Sequence, residues 1–251
     1  NTKKQLKKLE DTLDNIRSIT RVFEHTAAQK MDVNRNEMNN LSLHLREAQE
    51  SYSYTKIALA NSKKRKANQI LRTPMRVPVK RKIVVLVATE SKYFGSIMSS
   101  IVSLFISEIR AGGTDGMVVG KVGLDMLSRQ GFPVRNLAFF DFNDDKPNWL
   151  LIPQIEKVLT QYVEIVIFYG KYKSILTQEV QREDIGKNVT ISPITNVKKY
   201  TFEGKNYDSL AELEKHIIVS SFMQKLYETG LAKNAVAVKI LQIGAIAERI
   251  N

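Results

Sequence analysis

The chain has 251 residues, 43% of them hydrophobic, with a formal net charge of +12 and no cysteine. The missing thiols exclude a disulfide scaffold, a zinc-thiolate site and a cysteine nucleophile. No run of about 18 apolar residues exists to span a bilayer, and the N-terminal Asn1-Thr2-Lys3-Lys4 has no signal-like apolar core, so the chain reads as soluble and intracellular.

Residues 1–73 contain neither proline nor glycine. Apolar or small residues recur at Leu6, Leu9, Leu13, Ile16, Thr20, Phe23, Ala27, Met31, Asn34, Met38, Leu41, Leu45, Ala48, Tyr52, Thr55 and Leu59. Steps of three and four alternate, apart from one four-plus-four stutter at Ala27, which is a heptad seam. A helix of that length reaches roughly 100 Å, wider than any domain of this size, so it predicts a rod with a partner. The helix is expected to end near Leu71, ahead of Thr73-Pro74 and Val77-Pro78. Residues 1–82 carry 19 of the 38 basic residues against 8 acidic ones, and the acid-free run Lys63, Lys64, Arg65, Lys66, Arg72, Arg76, Lys80, Arg81, Lys82 flanks the exit. That run suits phosphates, anionic lipid or an acidic protein surface, or is a solvated helix end favoured by the dipole.

The period then changes. Ile83 to Ala88 (IVVLVA) is a continuous apolar run, the mark of a strand buried on both faces. Helices over 95–111, 122–130 and 150–161 alternate with strands Met117–Val119, Leu137–Phe142 and Val163–Phe168, which argues a mainly parallel sheet covered on both faces. Ile175 to Val180 and Lys199 to Phe202 read as an antiparallel edge or hairpin. From Ser209 a second heptad seam runs Leu213, Ile217, Ser220, Gln224, Tyr227, Leu231, Asn234, Val238, Leu241, Ala245. The expected fold class is α/β: a long antiparallel coiled coil of N-terminal (1–73) and C-terminal (209–251) helices, plus a Rossmann-like, mainly parallel α/β domain over 79–203.

Catalytic patterns are missing. The first strand-to-helix turn, Thr89 to Ser96, has one glycine and neither a dinucleotide fingerprint nor a P-loop. Gly120-Lys121-Val122-Gly123 is better read as a tight turn with close helix–strand packing. Asp141, Asp144 and Asp145 have no second acidic cluster to complete a metal site, and His25, His44 and His216 are scattered helix-surface residues. The reading is a non-catalytic protein without cofactor or metal.

Two long terminal helices around a small α/β domain resemble the gamma subunit, or central shaft, of F-type rotary ATPases. Ile19-Thr20-Arg21 followed by Ala27-Ala28-Gln29-Lys30-Met31 is similar to that family's N-terminal signature, with Val22-Phe23 where it has Ala-Met. The Gly-Lys-x-Gly turn, Arg129-Gln130-Gly131-Phe132, the segment Tyr169 to Glu183 and Lys199-Tyr200-Thr201-Phe202-Glu203 match further family patterns in order and spacing. Lys92-Tyr93-Phe94-Gly95-Ser96 departs from the family's Gly-Leu-Cys-Gly-Gly, as a divergent F-type-like relative would.

The resemblance implies a rotor that transmits torque between an ATP-binding ring of catalytic and non-catalytic subunits and its load. It also implies a small central-stalk companion subunit, a membrane rotor ring beneath, and a peripheral place on the cytoplasmic face of a membrane. By the same resemblance Ile16, Ile19, Thr20, Arg21, Phe23 and Lys30, with Val238, Lys239 and Gln242 opposite, would meet the ring. Ile16, Thr20 and Phe23 also fit a purely helix–helix role. Lys63, Lys64, Arg65 and Lys66 would belong to the foot. The competing reading is a basic coiled coil that binds nucleic acid or an anionic surface, supported by the charge of residues 1–82 but lacking any groove-reading motif.

Overall fold

The computed structural model describes residues 2–63, 80–88, 95–143, 148–186 and 207–250. In chain order the elements are α1 (Thr2–Lys63), β1 (Lys80–Val87), α2 (Gly95–Arg110), β2 (Asp115–Val119), α3 (Lys121–Arg129), β3 (Ala138–Phe140), α4 (Ile152–Leu159), β4 (Tyr162–Tyr172), β5 (Gln178–Asp184) and α5 (Tyr207–Ile250). The expected end of the first helix near Leu71, residues 92–94 of the Lys92–Ser96 turn and the Lys199–Phe202 strand lie outside the described residues, while Gly95 and Ser96 open α2.

The sheet has the order β3-β2-β1-β4-β5, with the first four strands parallel and β5 antiparallel to β4. Strand β1 is central, with Val85 opposite both Met117 and Ile167. Alternation then divides its side chains between two cores. Val84 and Leu86 join α2 and α3 through Ile101, Phe105 and Leu127. Ile83, Val85 and Val87 join α4 and α5 through Ile155, Leu159, Ile218 and Phe222. A strand buried on both faces needs an unbroken apolar run, which is what Ile83 to Ala88 supplies.

The edge differs from expectation. The strand lies at Gln178–Asp184 rather than Ile175–Val180, and 174–177 form the turn before it, where the Ser174 and Thr177 N–H groups donate to each other's carbonyls at 3.0 and 3.2 Å. Gln178, Glu179, Gln181, Arg182, Glu183 and Asp184 give no apolar alternation, because the ladder to β4 and not a buried face holds this strand. Charged side chains also protect such an edge from pairing with a second chain.

The helices α1 and α5 pair antiparallel. The Tyr52 hydroxyl donates to Glu214 Oε1 at 2.9 Å, Gln224 Nε2 to Ser42 Oγ at 2.8 Å and Gln242 Nε2 to Glu24 Oε1 at 2.9 Å, so partners fall along α1 as they rise along α5. Tyr52 with Leu210 and Ile217 fills one end of the seam, and Ala27 and Met31 with Leu231, Ala235 and Val238 fill the other. Between them Gly230 lets the helices close: a Cβ there would stand 2.7 Å from Asn34 Nδ2. From Ile217 to Ala235, α5 is buried well beyond its heptad seam, because α1 covers one side and the sheet another.

Candidate functional site

The resemblance directs attention to the outer part of the rod, beyond the Glu24–Gln242 bond. There the heptad pattern continues but the seam is open: Ile16 is 44% exposed, Ile19 55% and Phe23 60%. Thr20 is half-buried and its hydroxyl donates to the Ile16 carbonyl at 2.9 Å; Arg21 is exposed and Lys30 half-buried. On α5, Val238 is only 4% exposed and sits in the cluster with Ala27 and Met31, so it serves the helix pair and has no outward face. Lys239 Nζ donates to the Leu176 carbonyl at 3.2 Å, and Gln242 is held by Glu24. Ile16, Ile19, Arg21 and Phe23 therefore form an outward set, while the α5 residues are committed to partners within the chain.

Leu13, Val22, Ile240 and Ile243, which the resemblance does not place among the ring contacts, are also exposed apolar residues toward this part of the rod. Val22, Ile240 and Ile243 fall outside the seam register, and that was the available signal: large apolar residues off the seam of a two-helix rod have no buried face to occupy. The neighbouring charges pair within α1, Arg17 with Asp14 at 3.2 Å and Arg35 with Asp32 at 3.4 Å. Exposed pairs at this spacing add only a few tenths of a kcal/mol, roughly 0.3–0.5.

A second feature joins the domain to the rod. Lys225 on α5 is buried, with Nζ 2.8 Å from Glu183 Oε2, 3.9 Å from Glu228 Oε2 and 5.2 Å from the centre of the Tyr169 ring. The Tyr169 hydroxyl donates to the same Glu183 oxygen at 3.1 Å. Burial pushes Glu228 above the usual carboxylate range, only partly offset by Lys225 and Lys171, and burial with Glu228 and Glu183 nearby raises Tyr169 well above an ordinary phenol. Nearby, Tyr227 is pushed up to about 12 by burial and Glu37, and its ring lies 6.5 Å from that of Trp149, the single tryptophan.

The sheet carries no catalytic arrangement among the described residues. At the turn after β2, Gly120 has φ 98°, and a Cβ there would collide with the Ala88 carbonyl oxygen; one on Gly123 would stand 2.7 Å from Ala88 Cβ. Both glycines serve close packing, as expected. No group of three potential metal-ligating residues occurs among the described residues, and His25, His44 and His216 are exposed on helices. Ala232 of α5 belongs to the same core as Leu86, Ala88 and Phe168. Lys63 closes α1, and Lys64, Arg65 and Lys66 lie outside the described residues. Among the described residues no helix is long and apolar enough to cross a membrane.

The family model for ATP synthase, the one describing the gamma subunit, matches residues 2–239. Among solved structures, the chain is similar in fold to one from the Tetrahymena thermophila mitochondrial ATP synthase central stalk and c-ring, with TM-score 0.58 and 18% identity over 90% of this chain and 99% of that one. It is also similar to a chain of the Euglena gracilis mitochondrial ATP synthase OSCP/F1/c-ring assembly, with TM-score 0.50 and 13% identity over 88% of this chain and 85% of that one. No curated protein sequence matches it.

Proposed function

The chain belongs to the gamma-subunit family of the ATP synthase, and from that premise we propose that it is the non-catalytic central shaft of an F-type rotary ATPase. The observation that carries the proposal is the open part of the rod. Leu13, Ile16, Ile19, Val22 and Phe23 keep apolar surface in water on a helix whose seam farther in, at Ala27, Met31 and Tyr52, is buried. A surrounding ring of catalytic and non-catalytic ATP-binding subunits would bury it. An asymmetric axle offers each catalytic subunit a different face as it turns, and such differential contact biases the subunit between open and closed states. Ile16, Ile19, Arg21 and Phe23 would make those contacts, with Thr20 and Lys30 behind them, and Lys239 and Gln242 holding the opposite helix in place.

The α/β domain would form the foot, next to a small companion subunit and above a membrane rotor ring, with the complex on the membrane face that the catalytic ring occupies. Lys63, Lys64, Arg65 and Lys66 would lie on that side. The family match lends nothing to a nucleic-acid role.

The test is recovery of the complex. Mild isolation of this chain from its native source should yield two homologous ring subunits in multiple copies and ATP hydrolysis that the purified chain lacks. Recovery with nucleic acid and without ring subunits would refute the proposal. A Phe23→Ser, Ile19→Ser double variant should assemble yet lower the hydrolysis rate of the complex.

A further inference from the structure

The hairpin of β4 and β5 does not stop at the edge of the domain. Its inner end is tied to the rod by the Glu183–Lys225 ion pair, and its tip by the Leu176 carbonyl accepting from Lys239. From Leu176 to Glu183 the strand covers about 23 Å. From Lys225 to Lys239 the helix covers about 21 Å. The two lengths agree, so the hairpin lies along α5, with β4 and α5 running in the same direction. Between the two ties, Tyr172 packs against the cluster built by Ala27 and Met31 of α1 and Leu231, Ala235 and Val238 of α5. The hairpin thus meets the cluster in which the two rod helices pack together.

Its tip is also built to be stiff. Besides the paired backbone bonds of Ser174 and Thr177, Gln178 Nε2 donates to the Ser174 and Ile175 carbonyls at 2.8 and 3.0 Å, and Lys173 pairs with Glu179 across the strands at 2.7 Å. Leu176 itself is 70% exposed, so the tip is anchored by its backbone and not by a buried side chain.

We propose that the β4–β5 hairpin is a lateral brace that keys the domain to the rod between Lys225 and Lys239, so that torque crosses sideways into both helices. The mechanical part rests on the rotor function proposed above; the brace itself is a property of the chain. Two variants probe it. Lys225→Met with Glu183→Gln and Glu228→Gln removes the inner tie, leaves neither carboxylate facing a lost cation, and keeps an acceptor for the Tyr169 hydroxyl. Tyr172→Ala removes the packing on that shared cluster.

Hydrogen exchange on the full chain reads the brace directly. Amides of 170–184 and of 225–239 should be protected together, and each variant should speed exchange in both segments, by about tenfold, in step. Free exchange of the hairpin in the unaltered chain, or acceleration confined to one segment, would overturn the brace. In the assembled complex, with the ring fixed and a bead on the domain, the stalled bead should show about twofold wider angular fluctuation in the ion-pair variant, because a packed contact that transmitted strain has been loosened. Unloaded hydrolysis should be unchanged. Equal fluctuation in the variant and the parent would overturn the torque path. Absence of any ATP-driven rotation in the parent would instead refute the rotor function, and the exchange result would still decide the brace.

Discussion

The inner and outer parts of α1 carry the same heptad pattern and meet different fates. From Ala27 to Thr55 the seam is covered by α5 and, at Leu41, by the domain core; from Leu13 to Phe23 the same register stays in water. Apolar periodicity therefore states that a helix has a partner, and is silent on whether that partner belongs to the same chain. The energetic difference is large, since each fully buried aliphatic or aromatic side chain gains about 1.5–3 kcal/mol that an exposed one forgoes.

Substitutions on either side of that divide should separate cleanly. Phe222→Ala, at the point where α5 meets the sheet with no exposed surface, should cost about 3–5 kcal/mol in denaturant unfolding followed through Trp149 fluorescence. The two α5 glycines offer a sharper pair. Gly230→Ala would make the Asn34 side chain turn away, so its helix-propensity gain should be offset and the net change stay within about 0.5 kcal/mol. Gly244, further out on the same helix, has nothing within 4 Å of a built Cβ, so Gly244→Ala should stabilise by about 0.5–1 kcal/mol. An equal gain at the two glycines would break the distinction between closed and open rod.

The domain should lose stability in acid at one carboxylate. Arg182 and Lys82 hold the Glu108 carboxyl at about 2, below its ordinary 4.5. A lowered folded value means its contribution is complete above pH 4.5 and is lost as pH falls through 2. Acid titration should thus cost the parent more stability in that window than Glu108→Gln, which begins without the contribution. The smallest effect belongs to the open rod: Phe23→Ser should change the stability of the free chain by no more than about 0.5 kcal/mol.

Much of the architecture was legible because burial wrote it in simple patterns. Ile83 to Ala88 declared a doubly covered strand, and two proline-free heptad stretches declared the rod. What stayed hidden is held by backbone or by polar side chains. The strand β5 reads as a hydrophilic segment because its ladder bonds carry no sequence signature beyond permissive residues. Residues Lys225 and Glu228 look like surface charges on a helix, and only the fold brings Glu183 and Tyr169 to them. At the open rod, Ile16, Ile19 and Phe23 were visible as candidates, but Val238 was indistinguishable from them until α1 covered it. Two positions of one heptad can face a neighbouring helix or the solvent, and the letters are the same.

The antiparallel rod also dictates an order of events in time. Glu24 and Gln242, bonded in the finished protein, are 218 residues apart in the chain. A ribosome adds about 5–20 residues per second, so α1 waits on the order of ten seconds or more for its mate to be made. Throughout that interval Ala27, Met31 and Tyr52 face water, and a lone apolar seam is an invitation to pair with another nascent chain. The domain between the helices can fold meanwhile from contacts closer in sequence. It then presents Ile83, Ile165 and Ile167 as a landing surface for α5, which reaches α1 as it docks. The middle of the chain thus works during synthesis as the jig on which the two ends are joined.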